Sequence, residues 1–344
     1  MILISTVTLG KTGITVQKNG FGALPVQRAN MENSIKILRL AYESGINFFD
    51  TARFYTDSEE KIGAALSDVR DKIIIATKTK ALNADEFWKD LETSLTNMKT
   101  DYVDIYQFHN PPFVPRPGDG TGLFEAMEQA KAEGKVLHIG FTNHQPHLAR
   151  EAVESGLYET LQFPFCYLAT DIDTSLVALC REKNVGFIAM KGLSGGLITN
   201  SAAAYAYIAQ FDNVVPIWGI QRESELREFI SYIDNPPRMT EEIKAEIERD
   251  RRELIGNFCR SCGYCMPCPQ GIIIRECARM SQLIRRSPSA PHLTEESKKM
   301  MFKIEDCINC GHCKSMCPYG LDTPNLLRQN LEDYKNIISG KTKI

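Results

Sequence analysis

The sequence has little net charge and no long hydrophobic run. Its 344 residues carry a formal net charge of -3, with acidic and basic residues interspersed. Such a chain lacks the basic surface that nucleic acids and anionic membranes bind. No apolar segment approaches the roughly 18 residues that span a bilayer, and the first residues lack the features of a secretion signal. We therefore expect a cytoplasmic protein that acts on a small molecule, without nucleic-acid or membrane partners.

Cysteine is nearly absent from the first three quarters of the chain. Only Cys166 and Cys180 precede residue 259, and nine of the 11 cysteines lie beyond residue 258. A reducing cytosol keeps thiols free, and a chain of this length does not need disulfides. The uneven distribution predicts two domains, at residues 1–235 and 236–344.

A glycine-rich G-x-G-x-x-G loop is also missing after the first predicted strand, which argues against an open dinucleotide-binding sheet. The first domain instead alternates eight short apolar strands with eight amphipathic helices, at a period of about 30 residues. The predicted strands are 19–26, 46–52, 72–79, 102–110, 136–143, 160–166, 185–192 and 214–220. We predict an α/β fold, a (β/α)8 TIM barrel preceded by a short hairpin.

Four polar residues fall at or near the carboxyl ends of adjacent predicted strands, where barrel enzymes do their chemistry. Asp50, Lys78 and His109 end strands two, three and four, and Tyr55 follows strand two. Each alone has a plain structural explanation, but four at one rim indicate a catalytic site. A tyrosine can protonate a carbonyl if a cation lowers its pKa, which Lys78 would do while Asp50 compensates its charge. His109 would orient the carbonyl oxygen.

At these residues the chain resembles a known family. The segments NFFDTARFYTDSEEKIGAAL, IIIATKTK and DYVDIYQFHNP are similar to the signature regions of the aldo-keto reductases. The resemblance implies that the four residues form that family's catalytic tetrad. It further implies an oxidoreductase that reduces an aldehyde or ketone, or oxidises the alcohol, with NADP(H) or NAD(H).

The same resemblance implies a set of cofactor-binding residues. Thr142, Asn143 and Gln162 would hold the nicotinamide carboxamide, and Phe165 would stack on the nicotinamide ring. The segment MKGLSGGLIT resembles the family's pyrophosphate loop. The phosphate-binding residues implied there and beyond the eighth strand are Lys191, Gly192, Leu193, Ser194, Gly196, Leu197, Gln221 and Arg222.

The segment after the eighth strand departs from the family. Phe229 stands where the family has an adenine-binding asparagine. Arg222 is a candidate for a 2′-phosphate, but an ion pair with Glu223 or Glu225 is equally compatible with the sequence.

The second domain carries two dense cysteine motifs. They are Cys259-x2-Cys262-x2-Cys265-x2-Cys268-Pro and Cys307-x2-Cys310-x2-Cys313-x3-Cys317-Pro. A zinc site needs four ligands, usually as two separated pairs, whereas each motif alone supplies four. In each motif three evenly spaced cysteines are followed by a fourth that precedes proline. This pattern indicates two [4Fe-4S] clusters, each bound by three cysteines of one motif and the fourth cysteine of the other.

These motifs resemble bacterial ferredoxin, and with the barrel they resemble a group of aldo-keto reductases found chiefly in anaerobes. The resemblance implies a mainly helical, ferredoxin-like iron–sulfur domain. One cluster would be held by Cys259, Cys262, Cys265 and Cys317, and the other by Cys307, Cys310, Cys313 and Cys268. Because the first motif has only two residues before its fourth cysteine, Cys277 is an alternative to Cys268, or else a buried thiol.

Nicotinamide transfers two electrons as a hydride, whereas a cluster transfers one electron, and nothing in the sequence supplies a flavin to convert between them. In the leading interpretation the clusters exchange electrons with a ferredoxin-like or flavin partner. A second interpretation is a nicotinamide-independent reductase driven by cluster electrons. A third is a non-catalytic electron-transfer or sensor protein, which the intact tetrad argues against.

Overall fold

The computed structural model describes residues 6–254, 258–286, 288–317 and 319–343. They form two compact units. The first contains the chain up to Gly192 together with Tyr205–Met239, and the second contains Leu193–Ala204 and the chain from Thr240 onward. The segment Leu193–Ala204 thus follows a barrel strand in sequence but packs with the C-terminal residues. Pro318, the proline of the second cysteine motif, lies outside the described residues.

A short antiparallel hairpin precedes the barrel, as the sequence predicts. Strand β1 (Thr6–Thr8) pairs with β2 (Thr15–Gln17), and Val7 lies opposite Val16. The two valines join one buried cluster with Phe48 and Ile105 from the barrel strands. The hairpin residues therefore help to bury apolar side chains in the barrel interior.

Eight parallel strands close the barrel, which confirms the predicted fold. They are β3 (Gly20–Gly22), β4 (Phe48–Asp50), β5 (Ile74–Thr79), β6 (Val103–His109), β7 (Val136–Thr142), β8 (Thr160–Pro164), β9 (Gly186–Met190) and β10 (Val214–Gly219). Each strand pairs with its sequence neighbours, and β10 pairs with β3 to close the ring. All eight lie within the predicted segments.

The first predicted strand is shorter than expected. Only Gly20–Gly22 is extended, and Leu24–Arg28 forms a 3-10 turn. Pro25 fixes φ and has no N–H to donate to a neighbouring strand, so the ladder ends before it.

One helix follows each barrel strand. These helices are α1 (Met31–Glu43), α2 (Ser58–Leu66), α3 (Ala84–Met98), α4 (Leu123–Ala132), α5 (Pro146–Glu154), α6 (Asp171–Glu182), α7 (Ser201–Ile208) and α8 (Glu223–Asp234). Polar residues cap several of them: the side chains of Asn30 and Asn83 accept backbone N–H groups in the first turns of α1 and α3.

The described C-terminal residues are helical and contain no strand, as predicted. The helices are α9 (Glu241–Leu254), α10 (Ile274–Cys277), α11 (Met280–Arg286), α12 (Glu295–Phe302), α13 (His312–Ser315) and α14 (Thr323–Ile338). Their apolar core includes Cys259, Cys265 and Cys313. In the described parts of both units, no helix has the length and apolar character needed to cross a membrane.

Candidate functional site

The four predicted catalytic residues lie at the same end of the barrel. Asp50 is the last residue of β4, Lys78 is the penultimate residue of β5, and His109 ends β6. These strands are neighbours in the ring. Tyr55 lies in the loop before α2, where its N–H donates to the Ala52 carbonyl at 2.9 Å. Parallel strands place their carboxyl ends at one rim, so topology alone brings these side chains together.

Asp50 and Lys78 form a buried ion pair. Lys78 Nζ lies 2.7 and 2.8 Å from the two Asp50 carboxylate oxygens and 2.5 Å from the Thr51 carbonyl oxygen. Both residues are at most 2% exposed. Burial raises the pKa of Asp50 and lowers the pKa of Lys78, and their mutual attraction opposes both shifts. The three short contacts favour the charged pair and fix the ammonium in place.

Two glutamines extend this pair across the barrel. Gln162 on β8 donates to Asp50 at 3.4 Å, and Gln107 on β6 donates to Gln162 at 2.9 Å. Gln162, predicted to hold the nicotinamide carboxamide, is therefore already hydrogen-bonded to the Asp50 carboxylate. Sequence reasoning missed Gln107, although a glutamine within the apolar run VDIYQFH was the available signal.

Tyr55 lies between the ion pair and the histidine. Lys78 Nζ is 5.4 Å from the centroid of the phenol ring, and the His109 ring packs edge-on at a centroid separation of 5.8 Å. Burial first, and then the Asp50 carboxylate, raise the pKa of Tyr55. The net direction is therefore opposite to the predicted lowering, because the phenol is desolvated and the Asp50 carboxylate lies nearby. Tyr55 keeps its proton at neutral pH.

His109 is held as a neutral imidazole. Burial first, and then Lys78, Lys80 and His144, lower the pKa of His109 well below its ordinary value. Among the described residues its Nδ1 has no hydrogen-bond partner. A neutral imidazole keeps one N–H donor, which is what orienting a carbonyl oxygen requires.

The residues predicted to contact the nicotinamide differ in their surroundings. Thr142 ends β7 and is buried, and the adjacent Asn143 donates to the Pro111 carbonyl at 2.9 Å. Phe165 is only 1% exposed and packs against Phe187 and other aromatic rings. Phe165 therefore lies inside an aromatic cluster, and its stacking on a nicotinamide stays a prediction.

The start of the predicted pyrophosphate segment is shaped by Trp218. Lys191 has a positive φ of 59°, and Gly192 follows it. A Cβ at Gly192 would come within 2.5 Å of the Trp218 ring. This close approach explains the glycine by packing, independently of any phosphate.

The rest of that segment, Leu193, Ser194, Gly196 and Leu197, belongs to the second unit. There Arg279 donates to the carbonyl oxygens of residues 194 and 195 at 3.0 and 3.1 Å. Sequence reasoning missed Arg279, and no local pattern marks it, because it meets this segment only in the folded chain.

The segment after β10 caps a helix. The Gln221 and Arg222 N–H groups both donate to the Glu225 carboxylate, which caps α8. The Arg222 side chain is 70% exposed, with Nε 3.8 Å from Glu225. Phe229 stacks on Trp218 with a centroid separation of 4.5 Å. The residue that replaces the expected asparagine is thus a core side chain.

One cavity of the second unit is lined by cysteines from both motifs. They are Cys268 from the first and Cys307, Cys310 and Cys313 from the second. The resemblance to ferredoxin implies the same set, in which Cys268 of the first motif joins three cysteines of the second. Cys277 lies elsewhere in the helical core, where its thiol donates to the Met300 carbonyl at 3.6 Å and burial raises its pKa to about 12.

The other four predicted ligands, Cys259, Cys262, Cys265 and Cys317, are linked by their electrostatic effects on one another. Burial raises the pKa of the Cys259 thiol, and Cys262 and Cys317 are close enough to raise it further. The pKa of Cys265 is raised to about 12, by burial first and then by Cys259 and Cys262. The Ser261 N–H donates to Cys259 Sγ at 3.4 Å, as amides do to cluster sulfurs.

The two motifs fold their first turns alike. Ser261 and Gly263 in the first motif have positive φ, as do Asn309 and Gly311 at the equivalent positions of the second. Each backbone thus turns sharply between successive cysteines, which lets evenly spaced thiols face a common centre.

The donor set fits iron–sulfur clusters. Among the described His, Cys, Asp and Glu side chains, no three have the spacing of ligands to one metal ion. A [4Fe-4S] cluster binds each of its four thiolates to a different iron. The ligand sulfurs therefore lie farther apart than those around a single zinc ion. The thiol ligands, the cavity lined by cysteines of both motifs and the repeated turns are all consistent with iron–sulfur clusters.

Comparison with known proteins assigns both units. Residues 18–203 match the model of the aldo/keto reductase family, and residues 258–322 match a 4Fe-4S dicluster domain. The chain is 30% identical over 212 residues to a probable aldo-keto reductase of Glycine max, covering 56% of this chain and 60% of that protein. It is 26% identical over 254 residues to the NADH-specific methylglyoxal reductase of Escherichia coli, covering 64% and 76%.

A solved structure supports the fold. The aldo-keto reductase from Klebsiella pneumoniae, solved in complex with NADPH, superposes with a TM-score of 0.62 at 22% identity, covering 72% of this chain and 95% of that one. The described barrel and the family match agree. The chain therefore belongs to the aldo/keto reductase family, a family of oxidoreductases, and carries a 4Fe-4S dicluster domain after the barrel.

Proposed function

We propose that the barrel reduces an aldehyde or ketone, or oxidises the corresponding alcohol, with NADP(H) or NAD(H). The observation that carries this proposal is Tyr55, a protonated phenol between the Lys78 ammonium and a neutral His109. When bound, NAD(P)H supplies a hydride to the carbonyl carbon. The side chains of this protein carry out the other steps.

In the reduction, His109 donates a hydrogen bond to the carbonyl oxygen and Tyr55 transfers its proton to that oxygen. The resulting phenolate is stabilised by the Lys78 ammonium, which Asp50 and Thr51 hold in place. The alcohol therefore gains one hydride at carbon and one proton at oxygen. In the reverse direction Tyr55 accepts the proton.

We further propose that the C-terminal unit holds two [4Fe-4S] clusters. Cys259, Cys262, Cys265 and Cys317 would bind one, and Cys268, Cys307, Cys310 and Cys313 the other. When bound, the clusters supply one-electron transfer to or from a ferredoxin-like or flavin partner. The crossed cavity lined by Cys268 and three cysteines of the second motif supports this arrangement.

The proton-donor role is tested by Tyr55→Phe in anaerobically purified protein. Loss of the phenol should lower kcat for carbonyl reduction by about a hundredfold or more. Tyr42→Phe, in helix α1, is the matched control and should leave kcat unchanged. Full activity of Tyr55→Phe would contradict the mechanism.

A second candidate function has its own support. Phe165 is 1% exposed within an aromatic cluster, and Phe229 stacks on Trp218 where an adenine-binding side chain is expected. Both observations favour a reductase that takes electrons from the clusters without nicotinamide. Titration with NADPH and NADH separates the two functions: binding of either supports the first. Absence of binding, with carbonyl reduction driven by dithionite, supports the second.

A further inference from the structure

Arg279 is a buried cation that connects two chemically distinct parts of the second unit. It lies between α10 and α11 and is 5% exposed. Its Nη2 donates to the carbonyl oxygens of Ser194 and Gly195, at 3.0 and 3.1 Å. Its Nε has no hydrogen-bond partner among the described residues.

Arg279 lies in the part of the second unit that holds a predicted cluster ligand: its sequence neighbours Ala278 and Met280 belong to the same buried cluster as Cys259. Burial lowers the pKa of Arg279, and Cys259 opposes this shift more strongly than Glu276 does. A buried guanidinium is costly unless an anion accompanies it. Cysteine binds metal as the thiolate, so cluster assembly at Cys259 supplies that anion.

The same side chain sets the geometry of the segment Ser194–Gly195. A trans peptide points its C=O and N–H in opposite directions, so carbonyls fixed toward Arg279 direct the N–H groups of Gly195 and Gly196 away from it. Gly196 N–H closes a turn to the Leu193 carbonyl at 2.9 Å. At Gly195, φ is +64° and a Cβ would lie 3.1 Å from Arg279 Nη1, so glycine allows the close approach.

Arg286 is a second anchor on the same segment. Its Nη1 donates to the Leu197 carbonyl at 3.1 Å and to Asp250 at 3.0 Å. It forms ion pairs with the carboxylates of Asp250 and Glu253. Arg286 therefore holds the segment with its charge already compensated.

We propose that Arg279 couples the reduction equilibrium of the cluster bound by Cys259 to the conformation of Ser194–Gly195. One-electron reduction adds a negative charge beside Cys259, strengthens its attraction for the guanidinium and weakens the hold on the two carbonyls. If the segment binds the dinucleotide phosphates, which rests on the proposed function, reduction also weakens dinucleotide binding. By thermodynamic linkage, dinucleotide binding then makes the cluster harder to reduce, and the two effects are equal in free energy.

The test uses the full-length protein with its clusters assembled and dithionite as the reductant. Redox titration followed by electron paramagnetic resonance gives the cluster potentials, and hydrogen exchange with mass spectrometry follows the peptide 193–204. Arg279→Gln should shift one cluster about tenfold toward the oxidised form, about 59 mV for one electron. It should also abolish the difference in exchange between oxidised and reduced protein.

Three further variants separate charge from anchoring. Arg279→Lys keeps the charge, so the potential should stay near the wild-type value while the redox-dependent exchange is lost. Arg286→Gln should speed exchange in both oxidation states without moving the potential. Arg285→Gln removes an exposed cation of α11 that pairs with Asp333, and it should match the wild type in both measurements.

The proposal would be overturned if Arg279→Gln kept the wild-type cluster potentials and still showed redox-dependent hydrogen exchange. If that variant fails to assemble clusters, Arg279→Lys decides: retained redox-dependent exchange in Arg279→Lys would overturn the proposal.

Dinucleotide affinity is then measured in both oxidation states. Equal wild-type affinities overturn the link to binding. Absence of any binding overturns the nicotinamide step of the proposed function, while the potential and exchange measurements still decide the role of Arg279.

Discussion

At the scale of single residues, burial controls the protonation states of the candidate site. The pKa of Tyr55 is raised by burial and Asp50, and the pKa of His109 is lowered by burial and nearby cations. Both groups are therefore neutral under ordinary conditions. A neutral phenol can donate a proton and a neutral imidazole can donate a hydrogen bond, so burial favours the forms that reduction needs.

We predict a broad pH optimum for carbonyl reduction. Tyr55 stays protonated until the pH exceeds its raised pKa, above the ordinary value of about 10, and His109 stays neutral until the pH falls below its lowered pKa, under about 6.5. The kcat/KM should thus vary little between these limits. Steady-state rates at constant ionic strength check this, with circular dichroism at each pH as the folding control. A titration midpoint inside the window would contradict it.

Cys268 and Cys277 offer a matched pair for the cluster assignment. Cys268 lines the cavity with three cysteines of the second motif, whereas Cys277 donates to a backbone carbonyl. We expect Cys268→Ser to lower iron and sulfide content by about half if each motif set holds one cube. Cys277→Ser should retain both. Analysis of iron and acid-labile sulfide decides, and the reverse result would assign Cys277 as the ligand.

At the scale of elements, the packing of α2 on α3 depends on a glycine. Gly63 lies on the buried side of α2, and a Cβ there would overlap the Asn97 carbonyl oxygen and lie 2.8 Å from Met98 Cα. Glycine is unfavourable within a helix, by about 1 kcal/mol relative to alanine. Here the close approach of two helices outweighs that preference.

Gly63→Ala should therefore destabilise the barrel, although alanine is the better helix former. We expect a loss of about 1–3 kcal/mol in the free energy of unfolding, as for other overpacked sites. Ala64→Gly on the exposed side is the control, and should cost about 1 kcal/mol through helix propensity alone. Denaturant unfolding compares the two, and a stabilised Gly63→Ala protein would contradict the described packing.

At the scale of the whole molecule, the two units rely on different sources of stability. The barrel buries apolar side chains of its strands and helices. The second unit counts Cys259, Cys265 and Cys313 among its buried core residues. Thiolates in a core need the metal that neutralises them, so cluster binding contributes to the folding of this unit.

Removal of the clusters should therefore loosen the second unit and spare the barrel. Iron is removed by chelation under reducing conditions, and limited proteolysis with mass spectrometry locates the first cleavages. We expect them between residues 258 and 343, with the barrel fragment protected. The protein with intact clusters is the control, and first cleavage within β4 to β6 would contradict the prediction.

The sequence by itself determined the barrel and the cysteine motifs, and it predicted the tetrad. Strand periodicity and the position of a residue at a strand end are local properties, and parallel topology converts them into a shared rim. Asp50 and Lys78 could be placed at that rim in this way, and Cys307 was predicted from motif spacing, in each case without any long-range contact.

Only the tertiary structure decided what surrounds those residues. The direction of the Tyr55 pKa shift, the burial of Phe165 among aromatic rings and the contact of Arg279 with Ser194 each depend on residues that are far apart in sequence. Burial and electrostatics are sums over all neighbours in space, which a linear pattern does not specify. The residues of the site are thus encoded locally, and their protonation states and couplings are set by the fold.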